Sequence, residues 1–281
     1  MIRLGIVGYG GRVASLLPVL RAEAPDLRVA GIVDPDEPGV RGRLEPADRE
    51  DAVFYRSLPD LVRLGKPDAL MIGTRCNLHA PYAVQAARTA LPLYLEKPVA
   101  TSMAQALALE TAFARSRCRV VVSFPLRVSP LCRLAQRLIG EGAVGRPEHV
   151  LGVNYVPYGT CYWERGYRDY AVTGGLFLQK ATHDFDYLSF LMGSRITRVA
   201  AMAARGRVFG GRKPRTLVCS RCGERETCLE SPENRRRNGS GGSLRDHLCV
   251  FSRACGSVKT GMNEDASSAL LEFDSGAHGV Y

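Results

Sequence analysis

The fold of this chain is decided by residues 2–13, whose sequence is IRLGIVGYGGRV. An apolar run, Ile2–Val7, leads into a glycine-rich turn and then into an amphipathic helical pattern. Gly8 allows a tight turn, and Gly10 lets the backbone approach a pyrophosphate at the N-terminus of the helix. We expect Val13 to loosen the packing of helix on strand, because glycine or alanine is usual there. The predicted cofactor contacts of this turn are Gly8, Tyr9, Gly10, Gly11, Arg12 and Val13.

A carboxylate ends the second apolar strand pattern. Asp34 directly follows Val29–Val33 and comes at roughly the 20-residue separation at which an acidic residue accepts the ribose hydroxyls of a dinucleotide. Asp36 adds a second negative charge, and two carboxylates would repel the 2′-phosphate of NADP. The pattern therefore favours NAD over NADP. The alternative is that Asp34 only caps a loop.

Strand and helix patterns alternate through residues 1–123, which predicts a doubly wound parallel sheet of the Rossmann type. The predicted strands are Ile2–Val7, Val29–Val33, Ala69–Ile72, Leu93–Leu95 and Arg119–Ser123. The predicted helices begin at Gly11, at about His79 and at Met103.

Residues 124–281 predict a second α/β domain with an open mixed sheet. The predicted helices are Leu131–Ile139 and about Gly175–Met192, and the predicted strands are Glu148–Val156, Ile196–Ala203, Ala269–Phe273 and a last one from Gly276. The sequence stops at Tyr281 within that last strand, which predicts an unfinished sheet edge and a truncated chain.

Composition excludes several classes of protein. The chain has 281 residues, of which 46% are hydrophobic, and this is enough for two globular domains. It contains neither a stretch of roughly 18 uncharged apolar residues nor a signal peptide, so we expect a cytoplasmic protein without a membrane span. The net charge of +10 is scattered, apart from a run at Arg235–Arg237 that we expect to be solvated. A nucleic-acid partner is therefore disfavoured.

Lysine is rare in this chain. Only five of the 38 basic residues are lysines, so arginine is the usual cation here. A lysine that remains can do what arginine cannot, which is to lose its proton near neutral pH. This observation draws attention to Lys97 and Lys180.

Three further segments, in this order, resemble the Gfo/Idh/MocA family, named for glucose-fructose oxidoreductase, inositol dehydrogenase and rhizopine catabolism. They are TRCNLHAPYAVQA at 74–86, EKP at 96–98, and a glycine pair at 174–175 that precedes HDFD at 183–186. The resemblance implies a Rossmann domain joined to an α/β domain whose open sheet often forms the subunit interface, and hence a homo-oligomer if the chain is full length. It also implies NAD(P)-dependent oxidation or reduction of a sugar, cyclitol or related polyol.

The resemblance also assigns catalytic residues by position. Lys97 corresponds to the lysine between nicotinamide and substrate, where it would bond the reacting hydroxyl and relay its proton, a task that needs a lowered pKa. His183 corresponds to the catalytic histidine, and Asp186, one helical turn later, could orient its ring or cap backbone groups. The alternatives are a surface lysine and a structural histidine. The cofactor contacts implied outside the glycine turn are Thr74, Asn77, His79, Glu96 and Lys97, where Asn77 and His79 could instead cap the helix.

The chain departs from the family pattern at Gln179, where many members carry an aspartate. Glutamine can hold a substrate hydroxyl but cannot accept its proton. Two alternatives therefore stay open: a cofactor-binding sensor or regulatory protein, and a lyase or hydrolase that uses transient oxidation. The predicted substrate contacts are Gln179, Lys180, Arg127 and Asp186. Tyr155, Tyr162 and Trp163 predict either a sugar-stacking wall or core and loop aromatics.

A cysteine-rich insertion covers about residues 206–261, where periodicity is lost. Cys219, Cys222, Cys228 and Cys249 have a knuckle-like spacing, with His247 and Cys255 nearby. Four thiolates would hold zinc tetrahedrally without an open position, and the metal would then staple the insertion. The alternatives are free thiols and partial disorder of the segment, and an iron–sulfur cluster is less favoured than zinc.

Overall fold

The glycine-rich turn follows strand β1, which lies inside a five-stranded parallel sheet of order β2-β1-β3-β4-β5. We describe the chain from a computed structural model, over residues 1–156, 161–164, 166–253 and 263–281. These residues divide into two compact units, Met1–Ser123 and Phe124–Tyr281. The strands of the first unit are β1 (Ile2–Val7), β2 (Leu27–Val33), β3 (Ala69–Ile72), β4 (Leu93–Leu95) and β5 (Val120–Val122).

Helices connect these strands, as the alternating pattern predicts. The α-helices of the first unit are α1 (Gly11–Glu23), α2 (Glu37–Arg41), α3 (Pro46–Arg49), α4 (Leu58–Asp60), α5 (Cys76–Ala86) and α6 (Met103–Phe113), with one π-helical turn at Leu61–Gly65. The sequence analysis missed the short helices between β2 and β3. These start at prolines or polar caps and have too few residues for helical periodicity to appear.

The strand order reverses between β1 and β3, because the chain adds β2 on one side of β1 and every later strand on the other. In open α/β sheets a ligand binds in the crevice at the carboxyl ends of the two strands that flank such a switch point. Here those ends lead into Gly8 and Gly73. Apolar side chains cover both faces of the sheet, with Leu4, Ile6 and Leu17 in one cluster and Val7, Leu70 and Ile72 in the other.

The second unit contains a four-stranded mixed sheet of order β6-β9-β8-β7. Its strands are β6 (His149–Leu151), β7 (Ile196–Ala204), β8 (Ala266–Phe273) and β9 (His278–Val280), of which β6 and β9 are parallel and the other pairs antiparallel. Its α-helices are α7 (Pro130–Gly140), α8 (Cys161–Glu164), α9 (Tyr170–Thr173), α10 (Leu176–Gln179), α11 (Thr182–Met192) and α12 (Pro232–Asn238). The predicted α/β class with a second, mixed sheet is confirmed.

One face of the second sheet is covered by α11. Ala269, Leu271 and Phe273 alternate along β8 with exposed residues and pack with Leu188 of α11. The predicted single helix over 175–192 is wrong in one respect, because Lys180 and Ala181 separate α10 from α11. No helix among the described residues is long and apolar enough to span a membrane.

The described part of the insertion is folded and packs on the rest of the second unit. The sequence had allowed partial disorder as an alternative. Trp163 of α8 is buried and stacks on Phe209 with ring centroids 4.9 Å apart. Arg235 of α12 is buried and pairs with Glu164 of α8 at 3.1 Å and with Glu230 at 2.5 Å. The expectation that the arginine run is solvated is therefore wrong for Arg235. The rest of the insertion, including Cys255, lies outside the described residues.

Candidate cofactor and substrate sites

Gly8 is required by the geometry of the turn after β1. Its φ of +83° lies in the left-handed region, and a Cβ atom there would come within 2.6 Å of the backbone of Thr74. Its own amide donates to the carbonyl oxygen of Val33 at 2.9 Å. The turn after β1 therefore lies directly against the loop after β3, which is the crevice expected at the switch point.

Val13 does not loosen the packing of α1, contrary to expectation. Its side chain is fully buried, and a Cβ atom on Gly73 would lie only 2.3 Å from its Cγ2. The small residue that close packing requires is supplied by Gly73 at the end of β3 instead of by the helix. This exchange explains why a β-branched residue is tolerated at the third position of the glycine pattern.

Asp34 is half-buried at the end of β2 and bonds to backbone on both sides. Its Oδ2 accepts from the amide of Tyr9 at 2.8 Å, and its Oδ1 accepts from the amide of Asp36 at 2.9 Å. These bonds fix the carboxylate beside the glycine turn. Each carboxylate oxygen has a second lone pair, so Asp34 can still accept a ribose hydroxyl. The alternative role as a loop cap is compatible with the same bonds.

The side chain of Tyr9 points away from the turn. It is fully buried in the core cluster beneath α1, where burial and the nearby carboxylates of Asp48 and Glu45 raise the pKa of its hydroxyl to about 12. Among the groups of Tyr9, only the backbone can then face a cofactor. The cofactor contact predicted for Tyr9 therefore stays a prediction for its backbone alone.

The start of α1 fits a dinucleotide pyrophosphate. Gly10 is its N-cap, the helix has no side-chain cap bond, and its first turn contains no acidic residue. The first amides of a helix then point outward with the positive end of the helix dipole. A Cβ atom on Gly11 would meet nothing within 4 Å, so this surface is open. The backbone of Gly10 to Val13 and the Asp34 carboxylate could therefore hold NAD.

Arg12 and Glu96 form an ion pair next to this turn. Arg12 Nε lies 3.2 Å from Oε1 of Glu96, whose side chain is buried, while the arginine is half-exposed. The hydroxyl of Tyr94 lies 3.4 Å from the same oxygen. Glu96 therefore joins the end of β4 to the start of α1, and its carboxylate is not directed at solvent.

Lys97 follows Glu96 in a loop that His79 supports from the interior. The Lys97–Pro98 peptide bond is cis, and Lys97 is partly buried. His79 of α5 is 2% exposed, with Nδ1 at 2.8 Å from the carbonyl oxygen of Pro98 and Nε2 at 3.1 Å from that of Thr74. Burial lowers the pKa of His79, and the charge of Lys97 lowers it further. The buried ring of His79 therefore packs between the two loops, where its neutral form can donate to one of these carbonyl oxygens, and it does not line an open surface.

Gln105 supports the same loop and was missed by the sequence analysis. Its side-chain oxygen accepts from the amide of Thr101 at 2.8 Å, and its side-chain nitrogen donates to the carbonyl oxygen of Asn77 at 2.9 Å. A helical glutamine carries no motif that would distinguish it. Asn77 lies in the first turn of α5, where its partly buried side chain remains a candidate contact, as does Thr74 in the loop after β3.

The predicted substrate residues of the second unit lie on α10 and at the start of α11. Gln179 is the last residue of α10 and is buried, and Lys180 and Ala181 lead into α11. His183 is partly buried in the first turn of α11, and its ring meets that of Phe124 edge-on at 5.9 Å. Gln179, Lys180 and His183 are therefore gathered around one break between two helices.

Asp186 does not orient the ring of His183. Its two carboxylate oxygens accept hydrogen bonds from Nε and Nη2 of Arg127 at 2.7 and 2.6 Å, which makes a bidentate ion pair. Hydrogen bonding to Asp186 raises the pKa of Arg127. Arg127 also lies over the ring of Phe190 at 5.1 Å. Both predicted substrate contacts thus neutralise each other, and the pair joins the segment before α7 to α11.

Asp184, next to His183, is a buried carboxylate that the sequence analysis passed over. Its Oδ2 accepts from Nδ2 of Asn154 and from the hydroxyl of Tyr281, both at 2.7 Å. Burial and the charge of Asp184 raise the pKa of Tyr281. These bonds fix the first turn of α11 to the sheet, which is a structural contribution to the position of His183.

The aromatic residues proposed as a sugar-stacking wall do not form one. Trp163 is buried in the core against Phe209, whereas Tyr155 is 90% exposed. Tyr162 contacts Tyr167 edge-on with centroids 6.3 Å apart. The alternative of core and loop aromatics is the one that agrees with these positions.

The thiols of the insertion are near neighbours. Cys219 and Cys249 flank the isolated bridge between Val218 and Leu248, and the amide of Cys222 donates to the carbonyl oxygen of Cys219 at 3.0 Å. Burial raises the pKa of Cys219 to about 12, with the other three thiols of the cluster adding to it. Among the described residues, no three Cys, His, Asp or Glu side chains are arranged to hold a metal ion. The zinc site stays a prediction of the sequence.

Comparison with known proteins agrees with this geometry. Residues 2–124 match a family model described as "Oxidoreductase family, NAD-binding Rossmann fold", and residues 132–281 match the "GFO/IDH/MocA C-terminal domain". The putative oxidoreductase YteT of Bacillus subtilis is 31% identical over 147 residues, which are 52% of this chain and 34% of that protein. Inositol 2-dehydrogenase of Corynebacterium glutamicum is 24% identical over 200 residues, which are 70% of this chain and 56% of that one.

A solved structure shares the fold. The WlbA dehydrogenase of Bordetella pertussis, crystallised with NADH and UDP-GlcNAcA, superposes with a TM-score of 0.68 at 21% identity, over 99% of this chain and 69% of that one. The matched region spans less than two thirds of both curated relatives. Since the two family models together account for nearly the whole sequence, the chain belongs to the Gfo/Idh/MocA family of NAD-binding oxidoreductases.

Proposed function

We propose that this protein transfers a hydride between NAD and a secondary alcohol or ketone of a sugar, cyclitol or related polyol. The observation that carries the proposal is the crevice at the switch point of the first sheet. It combines the turn at Gly8, the uncapped start of α1 and the Asp34 carboxylate with the loop of Lys97 at the end of β4. The names of the relatives support an oxidoreductase, so a sensor and a lyase are not favoured.

The chemistry divides between cofactor and protein. The backbone of Gly10 to Val13 and the carboxylate of Asp34 would hold NAD, which would supply the acceptor for the hydride of the carbinol carbon during oxidation. The hydroxyl proton leaves at the same time, and we assign its acceptance to the Nζ of Lys97, since amines can act as bases when their pKa is lowered by burial or by neighbouring charge. In the reverse direction the lysine returns that proton to the carbonyl oxygen. His183 and Gln179 would hold the neighbouring hydroxyls of the substrate by hydrogen bonds.

We also propose that the cofactor is NAD rather than NADP. The support is the position of Asp34, held beside the glycine turn by Tyr9 and Asp36 amides, where its charge would repel a 2′-phosphate. Arg43 is the counter-argument, because its Nη2 lies 3.3 Å from the carbonyl oxygen of Tyr9. Nη2 of Arg43 also lies 3.6 Å from Oδ2 of Asp36. This carboxylate already neutralises part of the arginine's charge, which weakens the attraction for a 2′-phosphate.

Titration of the protein with NADH and with NADPH, followed by nicotinamide fluorescence, tests the cofactor. We expect tighter binding of NADH, and Asp34→Ala should reduce the difference between the two. Tenfold tighter binding of NADPH would contradict the preference. Mixing the protein with NADH and a panel of keto-sugars and inosose compounds then tests the reaction, because a sensor binds the cofactor without turnover.

We propose, third, that the open face of the second sheet binds a second copy of this chain. Leu270 and Met202 lie on the face opposite α11 and are 61% and 78% exposed, and Leu151 at the other end of the sheet is 64% exposed. Contiguous apolar side chains on a sheet face are typical of an interaction surface. The family resemblance supports this proposal, because it implies that an open sheet of this kind often forms the subunit interface.

A further inference from the structure

We infer that Asn263 and Glu264 are positioning residues for the candidate substrate site, because together they fix the turn from which α10 and Gln179 extend. Both lie far from Gln179 in sequence, in a segment without any motif. This inference rests on the proposed function in one respect, which is that Gln179 and His183 contact the substrate. The bonds that carry it are independent of that proposal.

Glu264 caps the start of α10. It is 4% exposed, and its Oε1 accepts from the amide of Phe177 at 2.7 Å. The N-cap of α10 is Gly175, which has no side chain, so the carboxylate of Glu264 takes over the capping function from another part of the chain. A carboxylate also interacts favourably with the positive end of the helix dipole.

Gly175 is shaped to receive this carboxylate. Its φ is +101°, and a Cβ atom on it would lie 2.9 Å from Oε2 and 3.0 Å from Oε1 of Glu264. A side chain at this position would therefore displace the cap. The glycine pair that the family resemblance quotes is explained here by close approach of an acidic side chain, in addition to its positive backbone angles.

Asn263 fixes the residues just before the same turn. Its Oδ1 accepts from the hydroxyl of Thr173 at 2.9 Å, and its Nδ2 donates to the carbonyl oxygen of Tyr167 at 2.6 Å. The Thr173 oxygen in turn accepts from the amide of Gly175 at 3.2 Å. Asn263 and Thr173 are both fully buried, so each of these bonds is protected from water.

Asn263 and Glu264, together called the clamp, fix the position of Gln179 through few intervening residues. The amide of Gln179 donates to the carbonyl oxygen of Gly175 at 2.9 Å, and α10 has only 4 residues, so it has no length over which a shift of the turn could be absorbed. His183 follows within the first turn of α11. Burial of the Glu264 carboxylate costs free energy unless its hydrogen bonds are made. The bond to Phe177 therefore has to stay formed, and this keeps the turn rigid.

Asp265 extends the clamp to the insertion. Its Oδ2 accepts from the amides of Arg207, Val208 and Phe209 at 2.9, 2.8 and 3.1 Å. Three consecutive residues therefore hold the turn before α10 on one side and the start of the insertion on the other. The insertion is consequently anchored at the same point as the candidate substrate helix.

Glu264→Ala and Glu264→Gln test the clamp, with Glu141→Gln as the matched control. Glu141 is an exposed carboxylate of the same unit, at the end of α7, and among the ionic contacts of the described residues it pairs only with Arg137. Hydrogen exchange, read by mass spectrometry on peptides that cover 173–180, should accelerate about tenfold or more in Glu264→Ala. Glu264→Gln should lie between it and the wild type, since its amide oxygen can still accept from Phe177.

Steady-state kinetics supply the readout that a purely structural role would not move. Loss of folded enzyme lowers the maximal rate at unchanged KM, whereas a displaced Gln179 should raise KM for the substrate about tenfold in Glu264→Ala with NAD affinity unchanged. If no compound of the panel turns over, the proposed function fails while the exchange measurement still decides on the clamp. Exchange and KM equal to those of Glu141→Gln would overturn the inference. If Glu264→Ala does not fold, Glu264→Gln decides alone. An exchange rate at 173–180 and a KM equal to those of the wild type would then overturn the inference.

Discussion

At the scale of single residues, Lys97 and His79 have different tasks at the same loop. Lys97 is the candidate proton acceptor, and its ammonium group is close enough to lower the pKa of the buried His79. The ring of His79 lies between the carbonyl oxygens of Pro98 and Thr74 and, in its neutral form, donates to one of them, which supports the loop from inside. A substitution of each should therefore change a different property, turnover for Lys97 and stability for His79.

Lys97→Arg should lower turnover by about a hundredfold or more, while the affinity for NAD changes little. Arginine retains the positive charge but cannot lose its proton, so a general base is removed without removing the cation. Steady-state rates on a substrate identified from the panel, with cofactor binding by fluorescence, measure both effects. Lys66→Arg is the control, because Lys66 belongs to the first unit and precedes β3. Near-normal turnover in Lys97→Arg, with hydride transfer rate-limiting, would rule out the proposed role.

His79 should make the wild type less stable in mild acid. Burial lowers the pKa of the folded-state imidazole below the usual value of about 6.5, so the unfolded chain binds the proton first. The stability contributed by neutral His79 is complete above that pH and is lost as the pH falls through the lowered folded-state pKa.

Urea unfolding of the wild type and of His79→Asn at pH 7.5, 6.5 and 5.5 measures this effect. The difference in free energy of unfolding between the two should shrink on acidification, because asparagine does not titrate. His149→Asn is the control, since His149 is exposed on β6. Parallel pH profiles for the wild type and His79→Asn would contradict the buried neutral histidine.

At the scale of elements, the contact of α1 with the end of β3 can be tested by a double substitution. Gly73→Ala should destabilise the protein by about 1–3 kcal/mol, because the added methyl group would lie 2.3 Å from Cγ2 of Val13. Val13→Ala removes that atom, so the double variant should be no less stable than Val13→Ala alone. Thermal and urea unfolding measure the coupling, with Gly11→Ala as a control in open space. Additive losses would show that the two residues do not share one space.

The cysteine cluster gives a second prediction at this scale. The spacing of Cys219, Cys222, Cys228 and Cys249 predicts about one zinc per chain in protein prepared without chelator. The side chains would have to move together to bind it, since no three potential ligands among the described residues are arranged around a common point. Elemental analysis of the wild type and of Cys219→Ser decides, with Cys118→Ser, a thiol of the first unit, as control. A metal content near zero in folded protein would show free thiols.

Sequence could predict the elements with strong local patterns and not those held by distant contacts. Strands β1, β3 and β4 have the predicted bounds, because each is a short apolar run that ends at a glycine or a charged residue. The break between α10 and α11 was missed, since Lys180 and Ala181 are neither glycine nor proline. The cap of α10 was also missed, because Glu264 lies 87 residues after Phe177. The exchange of roles between Val13 and Gly73 and the pairing of Arg127 with Asp186 likewise depend on residues brought together only by the fold.

At the scale of the whole molecule, the open face of the second sheet is the surface on which we expect two copies of the chain to associate. Leu270 lies beside Ala200 and Val280 in the register of β7, β8 and β9, so three strands present an aliphatic row across the sheet. Arg198 and Glu272 pair on the same face at 3.3 Å and form a polar border. An apolar centre with a charged rim is the composition expected of an interface between subunits.

Leu270→Glu should therefore convert a self-associated protein into a monomer or weaken association by about thirtyfold or more, as expected for the centre of an interface. A carboxylate there would be desolvated without a partner in the assembled state. Val19→Glu is the matched control, because Val19 on α1 has the same exposed fraction of 61% and lies in the other unit. Light scattering after size exclusion measures both over a dilution series. A wild type that stays monomeric at every concentration, or a Val19→Glu variant that dissociates as Leu270→Glu does, would refute the sheet as the subunit interface.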